Sequence, residues 1–231
     1  MKKSTIILSC LALLVIGFIV KMQSPDSKSI RLVTLGDSYT IGEGVEESGR
    51  WPNRVVDHLQ QEGIAVALVA NPSVTGFTTQ DVMEYELPIL RRSNADIVTV
   101  LIGANDYFQG VEKEVFQKNL QNVLDEIQTI IKNERNIVLI TIPDYSKTPA
   151  GKSFGDTQTV SEGITSFNEV IKDEGKKRNI VVIDIFAISQ KAETDLSLVA
   201  TDGLHPSSRQ YAQWEELIFP VIKKIVTDSD I

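Results

Sequence analysis

Five short apolar runs alternate with amphipathic segments along most of this chain, and that alternation limits the folds available to it. The runs are rich in Ile, Leu and Val and comprise residues 30–35, 64–70, 97–102, 137–142 and 180–185. Such runs are typical of strands that are buried on both faces of a sheet. Strands separated by helices form parallel sheets with right-handed crossovers. We therefore expect an α/β fold with a doubly wound, five-stranded parallel sheet.

The segments between these runs have the periodicity of helices. Helical patterns cover residues 52–61, 79–92, 114–132 and 160–177. The third pattern is the clearest, because its apolar residues recur at the spacing of one helix face. A final helix begins at Ser207, which forms a capping box with Gln210, and Pro220 predicts a kink within it.

The composition favours one globular domain and argues against several classes of partner. The 231 residues are 42% hydrophobic, which is enough for a sizeable core. A net charge of −8, without a basic stretch that has interleaved aromatics, argues against nucleic acid. Cys10 is the only cysteine, so neither an intramolecular disulfide nor a cysteine metal cluster can form. Two histidines without a His-Glu-x-x-His motif argue against a metal hydrolase, and sugars, esters or peptides fit better as ligands.

The N-terminal residues predict a membrane anchor. A charge-free apolar run over residues 5–20 follows Lys2 and Lys3 and ends before Lys21. As a helix it would rise about 24 Å, which suffices for a hydrocarbon core of about 30 Å if the lysines snorkel. Because no small-x-small cleavage site follows, we expect a signal anchor over 1–23, a tether over 24–29 and an extracellular domain over 30–231. The alternative is a cleaved signal and secretion.

A candidate nucleophile follows the first apolar run directly. Gly36 allows a sharp turn as the chain leaves a strand, and ligands bind beyond the carboxyl ends of parallel strands. Ser38 would therefore lie in an open crevice. Gly-Asp-Ser is also ordinary turn chemistry, with Asp37 or Ser38 capping a helix. The assignment consequently depends on finding a base and an oxyanion site.

Candidate oxyanion donors follow the next two strands, at the same edge of the sheet. Gly76 can offer a backbone N–H that no side chain obstructs, and Asn105 can offer its side-chain amide. The alternatives are a turn glycine before a helix that is capped at Thr78, and a polar turn residue at position 105. All three loops can converge because they open at one edge.

The candidate base is one of two histidines. His58 lies well inside the first helix, which runs away from the crevice, so it fits a surface or groove role. His205 lies in a loop just ahead of the last helix, and Asp202 precedes it by three residues. A turn would let that carboxylate accept a hydrogen bond from one ring nitrogen and fix the tautomer. The alternative is a polar loop without chemistry.

Together these residues resemble a known family. They form four blocks in one order along the chain: Gly36-Asp37-Ser38, Gly76, Gly103-x-Asn105-Asp106 and Asp202-x-x-His205. In that order they resemble the SGNH (GDSL-like) hydrolases, from about Ile30 to the end of the sequence. The resemblance implies a flavodoxin-like three-layer α/β/α sandwich, the SGNH hydrolase fold, in a membrane-anchored or secreted bacterial esterase or lipase. Tyr39 departs from the family, which has leucine there, and is expected to shape the pocket.

The resemblance also implies a role for each residue. Ser38 is the nucleophile, His205 is the base and Asp202 orients it. The oxyanion hole consists of the Ser38 N–H, the Gly76 N–H and the Asn105 amide. No cofactor or metal is required, and the reaction is ester hydrolysis through an acyl-enzyme. Its substrates would be small acyl esters, acetylated sugars or lysophospholipids; the alternatives are a cell-surface O-acyltransferase with the same triad or a non-catalytic surface binding protein.

Two loops are expected to control specificity. Residues 143–157 leave the fourth strand at the catalytic edge, and so long a loop predicts a lid over the site. The alternative is a mobile excursion without contact to substrate. Residues 42–49 hold three glutamates, which would make the mouth of the site acidic and disfavour anionic substrates.

Overall fold

The computed structural model describes residues 29–228. The predicted anchor over 1–23 and all of the predicted tether except Ser29 lie outside the described residues. Within residues 29–228, no helix combines the length and the apolar character that crossing a membrane requires.

A five-stranded sheet forms the centre of the fold. Its strands are β1 (Ile30–Gly36), β2 (Val66–Ala70), β3 (Ile97–Leu101), β4 (Ile137–Ile140) and β5 (Val181–Ile183). They are ordered β2-β1-β3-β4-β5, and every neighbouring pair is parallel. The predicted α/β fold with a five-stranded parallel sheet is thus confirmed. β5 is shorter than predicted because the Asp184 carboxylate accepts a hydrogen bond from the Phe186 N–H, where the next helix begins.

Nine α-helices surround the sheet within the described residues. They are α1 (Ser38–Ile41), α2 (Trp51–Gln61), α3 (Thr79–Asp81), α4 (Leu87–Ser93), α5 (Ala104–Phe108), α6 (Lys113–Ile130), α7 (Thr157–Lys177), α8 (Phe186–Ser189) and α9 (Ser208–Asp228). A π-helical turn, Val82–Glu86, joins α3 to α4. Short 3₁₀ turns cover Glu47–Gly49, Glu134–Asn136, Tyr145–Lys147, Gly151–Ser153, Gln190–Glu193 and Leu196–Leu198. The helix that was predicted over 79–92 is therefore a helical run with a π-helical turn inside it.

The longer helices pack in two groups. α2 packs against α9, whereas α6 packs against both α4 and α7. Right-handed crossovers place these two groups on opposite faces of the sheet. The predicted apolar face of α6 is buried, including Phe116, Leu120 and Val123. α9 buries Trp214 and Ile218, and it continues through Pro220 to its last turn.

The loop after β4 is fixed to the body of the protein. The Asp144 carboxylate accepts hydrogen bonds from the side chains of Ser146, Ser161 and Gln190. Further along, the Ala150 N–H donates to the Gly203 carbonyl oxygen at 2.9 Å. These bonds attach the first half of the loop to the body of the protein. It reaches the segment that carries His205.

Candidate active site

Ser38 is the first residue of α1 and follows β1 after a single intervening residue. The Asp37 side chain caps this short helix, because one carboxylate oxygen accepts a hydrogen bond from the Tyr39 N–H at 3.0 Å. Helix geometry leaves the N–H groups of the first turn without intrahelical acceptors, and the Ser38 N–H is one of them. The turn therefore presents a hydroxyl and an available N–H at the carboxyl edge of the sheet.

Asp202 and His205 form the predicted pair. One Asp202 carboxylate oxygen lies 2.6 Å from His205 Nδ1. The other accepts hydrogen bonds from the Leu204 N–H at 2.8 Å and the His205 N–H at 3.0 Å. Burial pushes the pKa of Asp202 upward, but these hydrogen bonds outweigh it and hold the pKa below its usual value. The ionised Asp202 carboxylate thus accepts a hydrogen bond from Nδ1 of His205. Nε2 is then the ring nitrogen that can accept a proton.

The loop that carries His205 is held from both sides. The Ala200 N–H donates to the His205 carbonyl oxygen at 2.7 Å, which closes the loop on itself. The Tyr39 ring packs 5.4 Å from the imidazole ring, measured between centroids. Tyr39, the position that departs from the family, therefore supports the histidine and lines the cavity beside it.

Gly76, a predicted oxyanion donor, lines the cavity beside Ser38. Its φ of 90° lies in the left-handed region, which favours glycine. A Cβ atom there would have no other atom within 4 Å, so the residue borders open space. The helix after it is capped at Thr78 as expected, because the Thr78 side chain and Asp81 form a reciprocal capping box.

The Asn105 amide lies beside the nucleophile's turn, but its donors are occupied. Nδ2 donates to the Phe77 carbonyl oxygen at 2.9 Å and to an Asp37 carboxylate oxygen at 3.3 Å. An oxyanion contact from this amide thus requires one bond to be exchanged. The longer bond to Asp37 is the weaker one and the natural candidate.

Two buried carboxyls, Asp37 and Asp106, lie near Ser38. Burial raises the pKa of Asp37 to about 7, although the hydrogen bond from Tyr39 opposes the shift and the Asp106 charge adds to it. Burial also raises the pKa of Asp106, and hydrogen bonds from Thr79 oppose that rise. Desolvation therefore favours protonation of these carboxyls, in contrast to Asp202.

One cavity of about 140 Å³ joins the candidate residues. Its lining comprises Ser38, Tyr39, Thr75, Gly76, Ala104, Asn105, Phe108, Tyr145, Phe154, Leu204 and His205. Phe108 and Phe154 meet edge to face, with ring centroids 5.0 Å apart, and are 55% and 41% exposed. Four of the five candidate residues thus share a cavity, and Asp202 contacts it through His205.

His58 lies outside this site, as the sequence predicted. Its Nδ1 lies 3.0 Å from a Glu215 carboxylate oxygen, and its ring stacks on Phe219. It therefore belongs to the contact between α2 and α9. Within residues 29–228, no three His, Cys, Asp or Glu side chains are grouped so that they could hold a metal ion.

The sequence analysis did not identify the aromatic wall of the cavity. Phe108 ends α5, and Tyr145 and Phe154 lie in the loop after β4. Their position beyond the carboxyl ends of β3 and β4 could have indicated from the sequence that they lie near the site. The sequence could not show which of these side chains turn inward, because that depends on how the Asp144 hydrogen bonds fold the loop.

Comparisons with known proteins agree with this geometry. Residues 34–213 match the model of the GDSL-like Lipase/Acylhydrolase family. An arylesterase from Vibrio mimicus is 26% identical over 189 residues, which cover 80% of this chain and 84% of the relative. The thioesterase 1/protease 1/lysophospholipase L1 of Escherichia coli K12 is 25% identical over 111 residues, 48% of this chain and about half of that protein.

Solved structures share the fold at low sequence identity. The crystal structure of TesA matches with a TM-score of 0.67 at 20% identity, covering 84% of this chain and 99% of that one. Axe2, an acetylxylan esterase from Geobacillus stearothermophilus, matches with a TM-score of 0.65 at 20% identity, covering 84% of this chain and 94% of that one. The described residues thus have the SGNH hydrolase fold.

We predict that Asp202→Asn lowers kcat by about 10³-fold or more, because an amide can neither fix the tautomer nor stabilise the imidazolium. Initial rates of p-nitrophenyl acetate hydrolysis would measure this. Asp195→Asn is a matched control, since Asp195 makes a similar turn with the Ser197 N–H but does not line the cavity. Equal rates for Asp202→Asn and the wild-type protein would mean that Asp202 only stabilises the turn and does not assist catalysis.

Proposed function

Since this chain belongs to the GDSL-like lipase/acylhydrolase family, whose members act on ester bonds, we propose that it hydrolyses esters of small apolar acyl groups through a Ser38 acyl-enzyme. The observation that carries the proposal is the cavity shared by Ser38 and His205, with the Asp202 carboxylate 2.6 Å from the far ring nitrogen. This is the arrangement that a serine nucleophile needs, namely a base whose orientation is fixed by a third group.

In the proposed mechanism, His205 Nε2 takes the Ser38 proton as the Oγ atom attacks the ester carbonyl carbon. The N–H groups of Ser38 and Gly76 stabilise the oxyanion, and Asn105 joins them when its amide leaves Asp37. The imidazolium, stabilised by Asp202, then gives the proton to the leaving alcohol. Water repeats the sequence on the acyl-enzyme, releasing the acid and restoring Ser38.

The size and lining of the cavity support a small apolar acyl group. Its volume of about 140 Å³ is close to that of a cavity of about 150 Å³ that holds benzene. The exposed Phe108 and Phe154 rings would lose contact with water when such a group binds. A longer acyl chain would have to leave the cavity past the Phe108 and Phe154 rings. Short acyl esters therefore fit better than lysophospholipids.

The mouth of the site is acidic, which supports neutral or cationic esters as substrates. Glu43 accepts a hydrogen bond from Thr75, a cavity residue, and a Cβ atom on Gly44 would lie 3.2 Å from an Asp202 carboxylate oxygen. The segment over residues 42–49 thus brings negative charge to the site, which disfavours anionic esters. Acetylated sugars fit this requirement through a neutral leaving group.

We predict that kcat/KM rises about fourfold per methylene from acetyl to about hexanoyl p-nitrophenyl esters, because each buried CH₂ contributes about 0.8 kcal/mol, and then levels off or falls. Phe154→Ala should flatten this slope, whereas Phe219→Ala should not, because the Phe219 ring stacks on His58 and does not line the cavity. Ser38→Ala should abolish turnover of every ester. A preference for long chains, or residual turnover by Ser38→Ala, would contradict the proposal; transfer to sugar without hydrolysis would indicate the acyltransferase.

We also propose that residues 1–23 anchor the domain to a membrane, with the domain outside. The apolar run between Lys3 and Lys21 supports this. β1 starts at Ile30, so the tether joins the sheet at the edge opposite Ser38. The catalytic edge would then face away from the membrane.

The anchor predicts that the full-length protein stays with membranes through an alkaline carbonate wash, whereas a protein beginning at Ser24 is released. Membrane fractionation followed by immunoblotting would measure both. A mature form that begins near residue 24 and accumulates in the medium would instead indicate signal cleavage and secretion.

A further inference from the structure

Glu86 is a fully buried carboxyl that the mechanism above does not use. It ends the π-helical turn Val82–Glu86 and has no exposed surface. Its Oε2 atom accepts a hydrogen bond from the Gly36 N–H at 2.9 Å. Its Oε1 atom has no hydrogen-bond partner among residues 29–228. A buried polar group of this kind is costly, so its presence next to the nucleophile's turn requires a reason.

The end of β1 supplies that reason. β2 pairs with β1 only as far as Ala70, which lies opposite Val33. Gly36 is three residues further along β1, so β2 offers its N–H no acceptor, and β3 pairs with the other side of β1. Without Glu86 this N–H would be buried and unpaired. The carboxyl therefore takes the place of a neighbouring strand two residues before Ser38.

An irregular helical run positions the Glu86 carboxyl. The capping box at Thr78 and Asp81 fixes the start of the helical run, and Pro88 lies in the first turn of α4 after it. Between them the π-helical turn inserts one extra residue, which shifts the side chains that follow. Such turns are frequent at functional sites.

We propose that Glu86 is a positioning residue of this esterase, whose carboxyl holds the end of β1 through Gly36 and thereby fixes the turn that presents Ser38. This proposal rests on the proposed role of Ser38 as nucleophile. Glu86 does not line the cavity, so it acts through the backbone and not on the substrate.

The burial of Glu86 makes its effect on the Ser38 turn sensitive to pH. Burial raises the pKa of Glu86 to about 8, the hydrogen bond from Gly36 opposes the shift, and the Asp37 and Asp81 carboxylates add to it. No lysine or arginine in residues 29–228 forms an ion pair with Glu86. A protonated carboxyl still has a carbonyl oxygen for Gly36. Because burial raises the folded-state pKa from its ordinary value of 4.5 to about 8, ionisation of Glu86 costs folding free energy. The stability of this region is therefore full below the ordinary pKa and is lost as the pH rises through the folded-state pKa of about 8, even though the Gly36 N–H itself favours the carboxylate.

Two substitutions at position 86 test the proposal. Glu86→Gln keeps an oxygen for the Gly36 N–H but cannot ionise, so kcat at pH 7 should stay within about threefold of wild type. Glu86→Leu removes the acceptor, so kcat should fall about tenfold or more while KM changes little. The rate of Ser38 labelling by a fluorophosphonate should follow kcat. Above pH 8, Glu86→Gln should retain activity that the wild-type protein loses.

Glu174→Gln is the matched control, because Glu174 is equally buried but lies near the end of α7, paired with Lys177 and Arg178. It should lower the melting temperature without changing the pH profile. A folded Glu86→Leu protein with wild-type kcat and labelling rate would overturn the proposal. If Glu86→Leu does not fold, the proposal would be overturned by a Glu86→Gln protein that loses activity above pH 8 as the wild-type protein does. Labelling that persists in Ser38→Ala would instead refute the proposed nucleophile.

Discussion

The close approach of two strand ends at Gly36 is the constraint on which the site depends. A Cβ atom there would lie 2.3 Å from the Leu101 carbonyl oxygen and 2.4 Å from Thr40 Oγ1, so only glycine fits. This contact brings the end of β1 against the end of β3. As a result the Ser38 turn lies beside the loop that carries Asn105, and Asp37 reaches the Asn105 amide. The sheet thereby places nucleophile and amide donor together.

Local environment gives similar carboxyls different roles around this contact. Asp202 lies in a turn, where two backbone N–H groups and the imidazole keep its carboxylate ionised next to His205. Asp37 and Glu86 lie behind the nucleophile, where burial raises their pKa values to about 7 and about 8. Desolvation dominates at these two residues, whereas hydrogen bonding dominates at Asp202. Of these three carboxyls, Asp202 is thus the one whose surroundings favour the charged form, and it is the one that contacts the imidazole.

Much of this arrangement could be predicted from the sequence, because strand runs and short motifs report local structure. The five strands, and the positions of Ser38, Gly76 and Asn105 at one edge, follow from periodicity and from the rule for parallel sheets. The assignment of His205 instead follows from its spacing to Asp202 and from the resemblance to the family. Contacts between distant segments could not be predicted. Glu86 reaches Gly36 only because a π-helical turn interrupts the helix predicted over 79–92, and Phe154 reaches the cavity only because hydrogen bonds fold its loop.

The proposed mechanism requires that Ser38 carries the acyl group during turnover. The most direct measurement is mass spectrometry of the wild-type protein quenched in acid during hydrolysis of a slowly deacylated ester, followed by peptide mapping. If Ser38 is the nucleophile, the peptide that contains Ser38 gains the mass of one acyl group. That mass is lost when hydrolysis is complete. Turnover without an adduct on trapping, or an acyl group on another residue, would contradict it.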